Sequence, residues 1–143
     1  MEIRAAKVED WNMIWELFFL MGKTDSQEKV KERFTAMTNS EQHYIPVAIL
    51  EQKVVGYGWV QDYGFHLRAG KKISRLNDIF VLKEYRNMGV ARNLFFSIKD
   101  WAKQNETTWL QWNSSPSAVQ FYQRLGLNPL AEDDDCPFFE IEF

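Results

Sequence analysis

Asp78-Ile79-Phe80-Val81-Leu82-Lys83-Glu84-Tyr85-Arg86-Asn87-Met88-Gly89-Val90-Ala91-Arg92 is the stretch whose reading decides the fold. It begins as an apolar strand, crosses a short basic loop and enters a segment in which Val90, Leu94, Ile98 and Trp101 recur at helical spacing. Gly89 and Ala91 stand where the chain enters that helix. With little or no side chain, they let a ligand approach first-turn N–H groups that have no partner inside the helix. The helix dipole adds about half a positive charge at this end, and Lys83, Arg86 and Arg92 against Glu84 make the segment basic in an acidic chain. Such an end attracts anions, although small residues at a helix start also serve close packing. A triphosphate loop would end in Gly-Lys-Ser or Gly-Lys-Thr, and a dinucleotide site would carry GxGxxG after the first strand; neither pattern is present.

Working outward, Ile73–Leu82 and Thr107–Trp112 read as strands flanking the helix, a connection that leaves the two strands parallel. Upstream, Tyr44–Leu50, a polar turn at Glu51-Gln52-Lys53 and Val54–Tyr63 predict a hairpin. Glu2–Ala6 reads as a first strand. Trp11, Ile14, Trp15, Phe18 and Met21 predict a helix ending near Gly22. Asp25 and Glu28 resemble a capping box before a second helix with Val30, Phe34 and Met37 on one face. Downstream, Ser115 and Pro116 suit a helix start and Gly126 its end. Leu127–Leu130 and Phe138–Phe143 predict a terminal hairpin around the acidic run Glu132–Asp135. The order is that of an α+β fold around a mixed sheet.

The chain has 143 residues, 45% hydrophobic and 26% charged, enough for one core over residues 1–143 without staples. Cys136 is the only cysteine, which excludes a disulfide framework and any multi-thiolate zinc site, and no metal is expected. A net charge of -3 argues against a nucleic-acid partner. Trp11–Met21 is interrupted by Glu16 and too short to span a bilayer, and the N-terminus lacks the pattern of a secretion signal, so the cytoplasm is the expected location.

Arg86-Asn87-Met88-Gly89-Val90-Ala91 fits the acetyl-coenzyme A signature Gln/Arg-x-x-Gly-x-Gly/Ala, and Ala118–Leu127 is similar to a Phe-Tyr-x-x-x-Gly segment. In these two motifs, correctly ordered and spaced, the chain resembles the GCN5-related N-acetyltransferases (GNAT), most specifically over residues 73–127. The resemblance implies a twisted, mostly antiparallel sheet of six to seven strands with about four helices. Its one parallel pair splays apart to admit the pantetheine arm of acetyl-CoA, the co-substrate. Carried over by position, Phe80 and Val81 would bind pantetheine through their main chains, and Arg86, Asn87, Met88, Gly89, Val90 and Ala91 would cradle the pyrophosphate. Asn113 and Ser117 are further contact candidates. Asn87 stands where the signature usually has glycine. A bulky residue at Gly89 is expected to block the phosphates while leaving the fold intact.

An alkylamine with a pKa near 10.4 is neutral in only about one molecule in 2,500 at pH 7, so acetyl transfer to it needs a proton acceptor. The family's corresponding tyrosine makes Tyr122 the candidate acid for the departing thiolate, with direct attack in a ternary complex. The diamine and polyamine acetyltransferases, the branch most resembled, carry glutamate where Asn77 stands. An amide cannot accept that proton, which leaves Asn77 to orient a water. Asp78 is the neighbouring candidate base, placed by strand alternation on the opposite face with Leu76 and Phe80. His43, His66 and Asp62 are lesser candidates. Cys136, among acidic residues, is not expected to react. The implied acceptor is a small primary amine, polyamine-like or aminoglycoside-like, which the acidic run would attract. A protein N-terminus or lysine, and a non-catalytic coenzyme A sensor, are the alternatives. Many family members are homodimers, but no feature of this sequence sets the oligomeric state.

Overall fold

The run of β-branched and aromatic residues after Lys53 becomes the longest strand. In the computed structural model, which describes residues 1–130 and 135–143, this is β4 (Lys53–Phe65), and the sheet grows from both of its edges. On one side β4 pairs with β3 (Pro46–Leu50) and the two-residue β2 (His43–Tyr44), and β3 pairs with β1 (Glu2–Ala5). On the other side come β5 (Lys72–Val81), β6 (Trp109–Asn113) and β7 (Phe138–Glu142). Every pairing is antiparallel except β5–β6, which are joined through the helix α3 (Val90–Gln104) and lie parallel as that connection requires. The α+β architecture with seven strands matches the sequence reading.

Two helices, α1 (Trp11–Met21) and α2 (Gln27–Thr38), cover one face of the sheet. Trp11, Ile14 and Leu17 of α1 and Phe34 of α2 are buried against Val47, Val54 and Tyr57; each such side chain contributes roughly 1.5–3 kcal/mol. The opposite face carries α3 and the short α4 (Val119–Arg124). Helix α3 buries Val90, Leu94, Phe95, Ile98 and Ala102, and it packs closely over β4 at Gly56 and Gly58. A Cβ at Gly58 would stand 2.7 Å from the Ile98 side chain, and one at Gly56 would stand 3.0 Å from the Phe80 carbonyl oxygen.

Three local readings change. Helix α2 is capped by Ser26, whose hydroxyl accepts from the Lys29 N–H, while Asp25 accepts from the Ser26 N–H instead of forming the capping box. Pro116–Ala118 forms a 3-10 turn ahead of α4 rather than its first turn. Leu127–Leu130 is not a strand: β7 pairs with β6, from Trp109–Glu142 to Asn113–Phe138, and Leu130 donates one hydrogen bond to the Phe138 carbonyl. Of the acidic run, Glu132, Asp133 and Asp134 lie outside the described residues. Among the described residues no helix is long and apolar enough to cross a membrane.

The β3–β4 turn places Glu51 at φ 51° and Gln52 at φ 63°, a left-handed pair that favours Asn-Gly. The double change Glu51→Asn, Gln52→Gly should stabilise the protein by about 1 kcal/mol, a few degrees in melting temperature. An unchanged or lower melting temperature by calorimetry would count against this turn.

Candidate active site

β5 and β6 are in register over three residue pairs only: Ile73–Trp109, Ser74–Leu110 and Arg75–Gln111. Beyond them β6 stays with β7, through Trp112–Phe139 and Asn113–Phe138, while β5 stays with β4. The two strands part, and Arg75 sits in the fork, donating from Nη1 to Gln111 Oε1 at 3.3 Å and from Nη2 to Asn113 Oδ1 at 2.8 Å. Among the described residues no strand pairs with the β6-facing edge of β5 from Leu76 to Val81; only the Val81 carbonyl is taken, by Arg86 Nε at 2.9 Å. The phase of that edge follows from the Leu82 N–H, which donates to the Val55 carbonyl at 2.9 Å. In an antiparallel ladder hydrogen-bonded pairs alternate, so Tyr57–Phe80 is the next bonded pair and Ile79 and Val81 turn their polar groups into the gap. The Phe80 main chain is thus directed to β4, whereas the expectation had turned it, with that of Val81, toward the gap.

After β5 a 3-10 turn (Lys83–Tyr85) leads to Arg86, whose Nε donates to the Val81 carbonyl at 2.9 Å while its guanidinium lies 5.6 Å from the Phe80 ring centre. Arg86 therefore folds back on the strand end. Asn87 has φ 63° and Gly89 φ 82°. Asparagine is the non-glycine residue best suited to that region, which explains how it replaces the signature's usual glycine. The first helical bond of α3 runs from the Asn93 N–H to the Gly89 carbonyl, and no N–H from Asn87 to Arg92 has a protein acceptor among the described residues. A Cβ at Gly89 would meet no protein atom within 4 Å, so the space above this turn is open, although the positive φ strains any other residue there. The fold is therefore not indifferent to replacing Gly89.

The gap has a different group on each face. β5 carries a one-residue bulge: Trp59 pairs with Asp78 and Val60 with Leu76, leaving exposed Asn77 as the extra residue. The bulge breaks the expected alternation. Leu76 packs with Phe95 and Ile98 under α3, whereas Asp78 and Phe80 face α1 and α2. Asp78 lines an open-mouthed cavity of about 420 Å³ between α1, α2 and the sheet. The Tyr57 hydroxyl is 2.9 Å from its Oδ2, and 2.9 Å from Met21 Sδ. Burial pushes the Asp78 carboxyl above the usual carboxylate range, the Tyr57 hydrogen bond opposing that shift. On the α3 side Tyr122 is buried among Phe95, Trp112, Phe121 and Phe139. Its hydroxyl has no hydrogen-bond partner among the described residues, and burial raises its pKa, so it keeps its proton. The buried Trp112 indole N–H also lacks a partner there.

A family model described as an acetyltransferase (GNAT) domain matches residues 21–137. The chain belongs to the GNAT family. It is an acetyl-CoA-dependent N-acetyltransferase. Solved structures agree in fold: a glucosamine-6-phosphate N-acetyltransferase from Arabidopsis thaliana superposes with a TM-score of 0.80 at 21% identity, covering 91% of this chain and 92% of its own. A ribosomal-protein-alanine N-acetyltransferase from Brucella melitensis gives 0.82 at 14% identity with 100% of both chains covered. An acetyltransferase from Trypanosoma brucei gives 0.78 at 18%, covering 93% and 96%. A search of curated proteins returns no significant match.

The residues of this GNAT domain fit acetyl-CoA, with an unpaired strand edge leading to a turn of unpartnered N–H groups under open space. The other sequence candidates are engaged elsewhere. Asn113 accepts from Arg75 and donates to the Cys136 carbonyl at 3.0 Å, and the Ser117 and Ser115 hydroxyls lie 3.2 Å apart. Asp62 pairs with Lys72 at 3.2 Å, His66 accepts from the Arg68 and Ala69 N–H groups, and His43 accepts from the Trp59 indole at 3.1 Å. Sequence reasoning missed Ile79 and Tyr57, because both are marked only by their register against the neighbouring strand.

A carboxyl whose pKa is raised by folding binds more protons in the native than in the unfolded state, so stability falls as pH rises through that interval. Asp78→Asn should melt above wild type at pH 8, with the difference closing as pH falls toward the usual carboxylate range. A variant less stable than wild type at pH 8 would contradict the burial of this charge.

Proposed function

We propose that this GNAT domain transfers an acetyl group from acetyl-CoA to the primary amine of a small molecule by direct attack in a ternary complex. The donor lies in the gap between β5 and β6, and the amine enters from the face covered by α1 and α2. The observation that carries this reading is the pairing of faces: a carboxyl, Asp78, on one side of the gap and a protonated phenol, Tyr122, on the other.

Acetyl-CoA, when bound, supplies the activated thioester. Ile79 and Val81 hydrogen-bond the arm through their main chains, and the N–H groups from Asn87 through Met88, Gly89, Val90 and Ala91 hold the diphosphate. Arg86 adds positive charge from its place on the strand end. Asn113 and Ser117 stand at the opposite wall. Asp78, as the carboxylate, holds the incoming ammonium and accepts its proton; its raised pKa brings it closer to that task than an exposed aspartate would be. Asn77 orients a water at the bulge. Tyr122 gives its proton to the departing sulfur.

Two variants test the two ends of the gap. Tyr122→Phe should lower kcat for thiol release by about 100-fold or more with little change in the KM for acetyl-CoA. Gly89→Ala should raise that KM by about tenfold, because the added methyl stands where phosphate oxygens approach. Gly70→Ala carries comparable strain, at φ 65° in the β4–β5 loop, and controls for stability. Unchanged kcat in the first variant would remove the acid. An unchanged KM in the second would remove the cradle.

A further inference from the structure

The cavity beside Asp78 narrows the acceptor. We infer that it takes a small monoamine with an aromatic or branched aliphatic body, of the arylalkylamine type, its nitrogen at Asp78 and its body between α1 and α2. This inference rests on the acetyl-transfer reading above and names the substrate class for the same site.

Three observations carry it. First, the walls are apolar: Phe18 of α1, Phe34 and Met37 of α2, and Ile45 and Trp59 of the sheet. The helix end at the same place leaves Phe19 and Leu20 exposed. Second, among the described residues Asp78 is the only acidic one lining the cavity, while two lining residues, Lys23 and Arg33, are cationic. Arg33 is paired with Asp25, which leaves that charge balanced and Lys23 in excess. One ammonium is matched at Asp78. Each further ammonium of a polyamine would lose water against rings and methyl groups and meet a like charge at the rim. Third, polar capacity is scarce. The Tyr57 hydroxyl is held by Asp78 and the Trp59 indole N–H by His43, which leaves Thr24 and the cations Lys23 and Arg33 as the other polar side chains of the lining, too few for the many hydroxyls and ammonium groups of an aminoglycoside. At about 420 Å³ the cavity is also toward the small end of ligand pockets, which run from about 300 to 1,000 Å³. The polyamine-like or aminoglycoside-like acceptor expected from the sequence therefore gives way to an amine with one charge and an apolar body.

The test compares kcat/KM by thiol release from acetyl-CoA for tryptamine and phenethylamine against spermidine, kanamycin, glucosamine 6-phosphate and a peptide with a free N-terminus. The arylalkylamines should lead by about tenfold or more, the discrimination an apolar pocket supplies. Equal or better turnover of a polycation, an amino sugar or the peptide would overturn the assignment of the acceptor and leave acetyl transfer standing. If no amine is turned over, calorimetric titration decides. Tryptamine binding to the coenzyme A complex supports the inference, and its absence with coenzyme A bound overturns the inference alone. Failure of coenzyme A itself to bind would remove the acetyl-transfer reading and the inference with it.

Discussion

Backbone N–H and C=O groups inside a sheet require partners, and in this protein the requirement is left open along one line. β5 and β6 share a ladder only as far as Arg75–Gln111. Past that point each strand is held by its outer neighbour, and Arg75 bonds to both Gln111 and Asn113 across the fork. An extended chain entering the gap would meet the open groups of Ile79 and the Val81 N–H as an added strand does, the Val81 carbonyl being held by Arg86. The unpartnered N–H groups from Asn87 to Arg92 lie where that line meets α3. In the proposed site donor binding would depend mainly on backbone geometry, which fits a signature made of positions that permit that geometry, Asn87 and Gly89 above all.

Side chains enter where charge must move. Opening the sheet gives the gap two faces, each belonging to a different core. The α3 side is a dense aromatic cluster in which the Tyr122 hydroxyl and the buried Trp112 indole N–H lack partners among the described residues. The α1 and α2 side is a cavity in which burial raises the pKa of the Asp78 carboxyl while the Tyr57 hydroxyl donates to it. The proposed acid, Tyr122, and the proposed base, Asp78, lie on opposite sides of the sheet and cannot neutralise one another directly. A reactant lying in the gap is the natural link between them.

Legibility in the sequence followed the range of the forces involved. The strand–loop–helix from Asp78 to Arg92 was readable because its determinants are local: a left-handed turn, a helix start, a crossover length. The sides of β5 were not readable. Simple alternation put Leu76, Asp78 and Phe80 together, but the extra residue at Asn77 sends Leu76 under α3 and leaves Asp78 facing α1. That bulge is a property of pairing with β4, as is the hydrogen-bond phase that favours Ile79 over Phe80. Likewise, the spacing of Phe18, Phe34 and Met37 marked them as one-sided helix residues, and their helices do pack on the core; that they also wall a cavity depends on how α1 and α2 meet the sheet. The terminal hairpin failed for a related reason, since β7 finds its partner in β6 rather than in the segment nearest in sequence.

In the proposed complex the β5 edge and the turn before α3 bind the donor through backbone amides. Titrating the isotopically labelled protein with coenzyme A and following amide resonances by NMR tests this residue by residue. The expected result is that the largest shifts and the strongest slowing of hydrogen exchange fall on Ile79, Val81 and Asn87–Arg92. Shifts confined to another surface, with those amides unmoved at saturation, would contradict it.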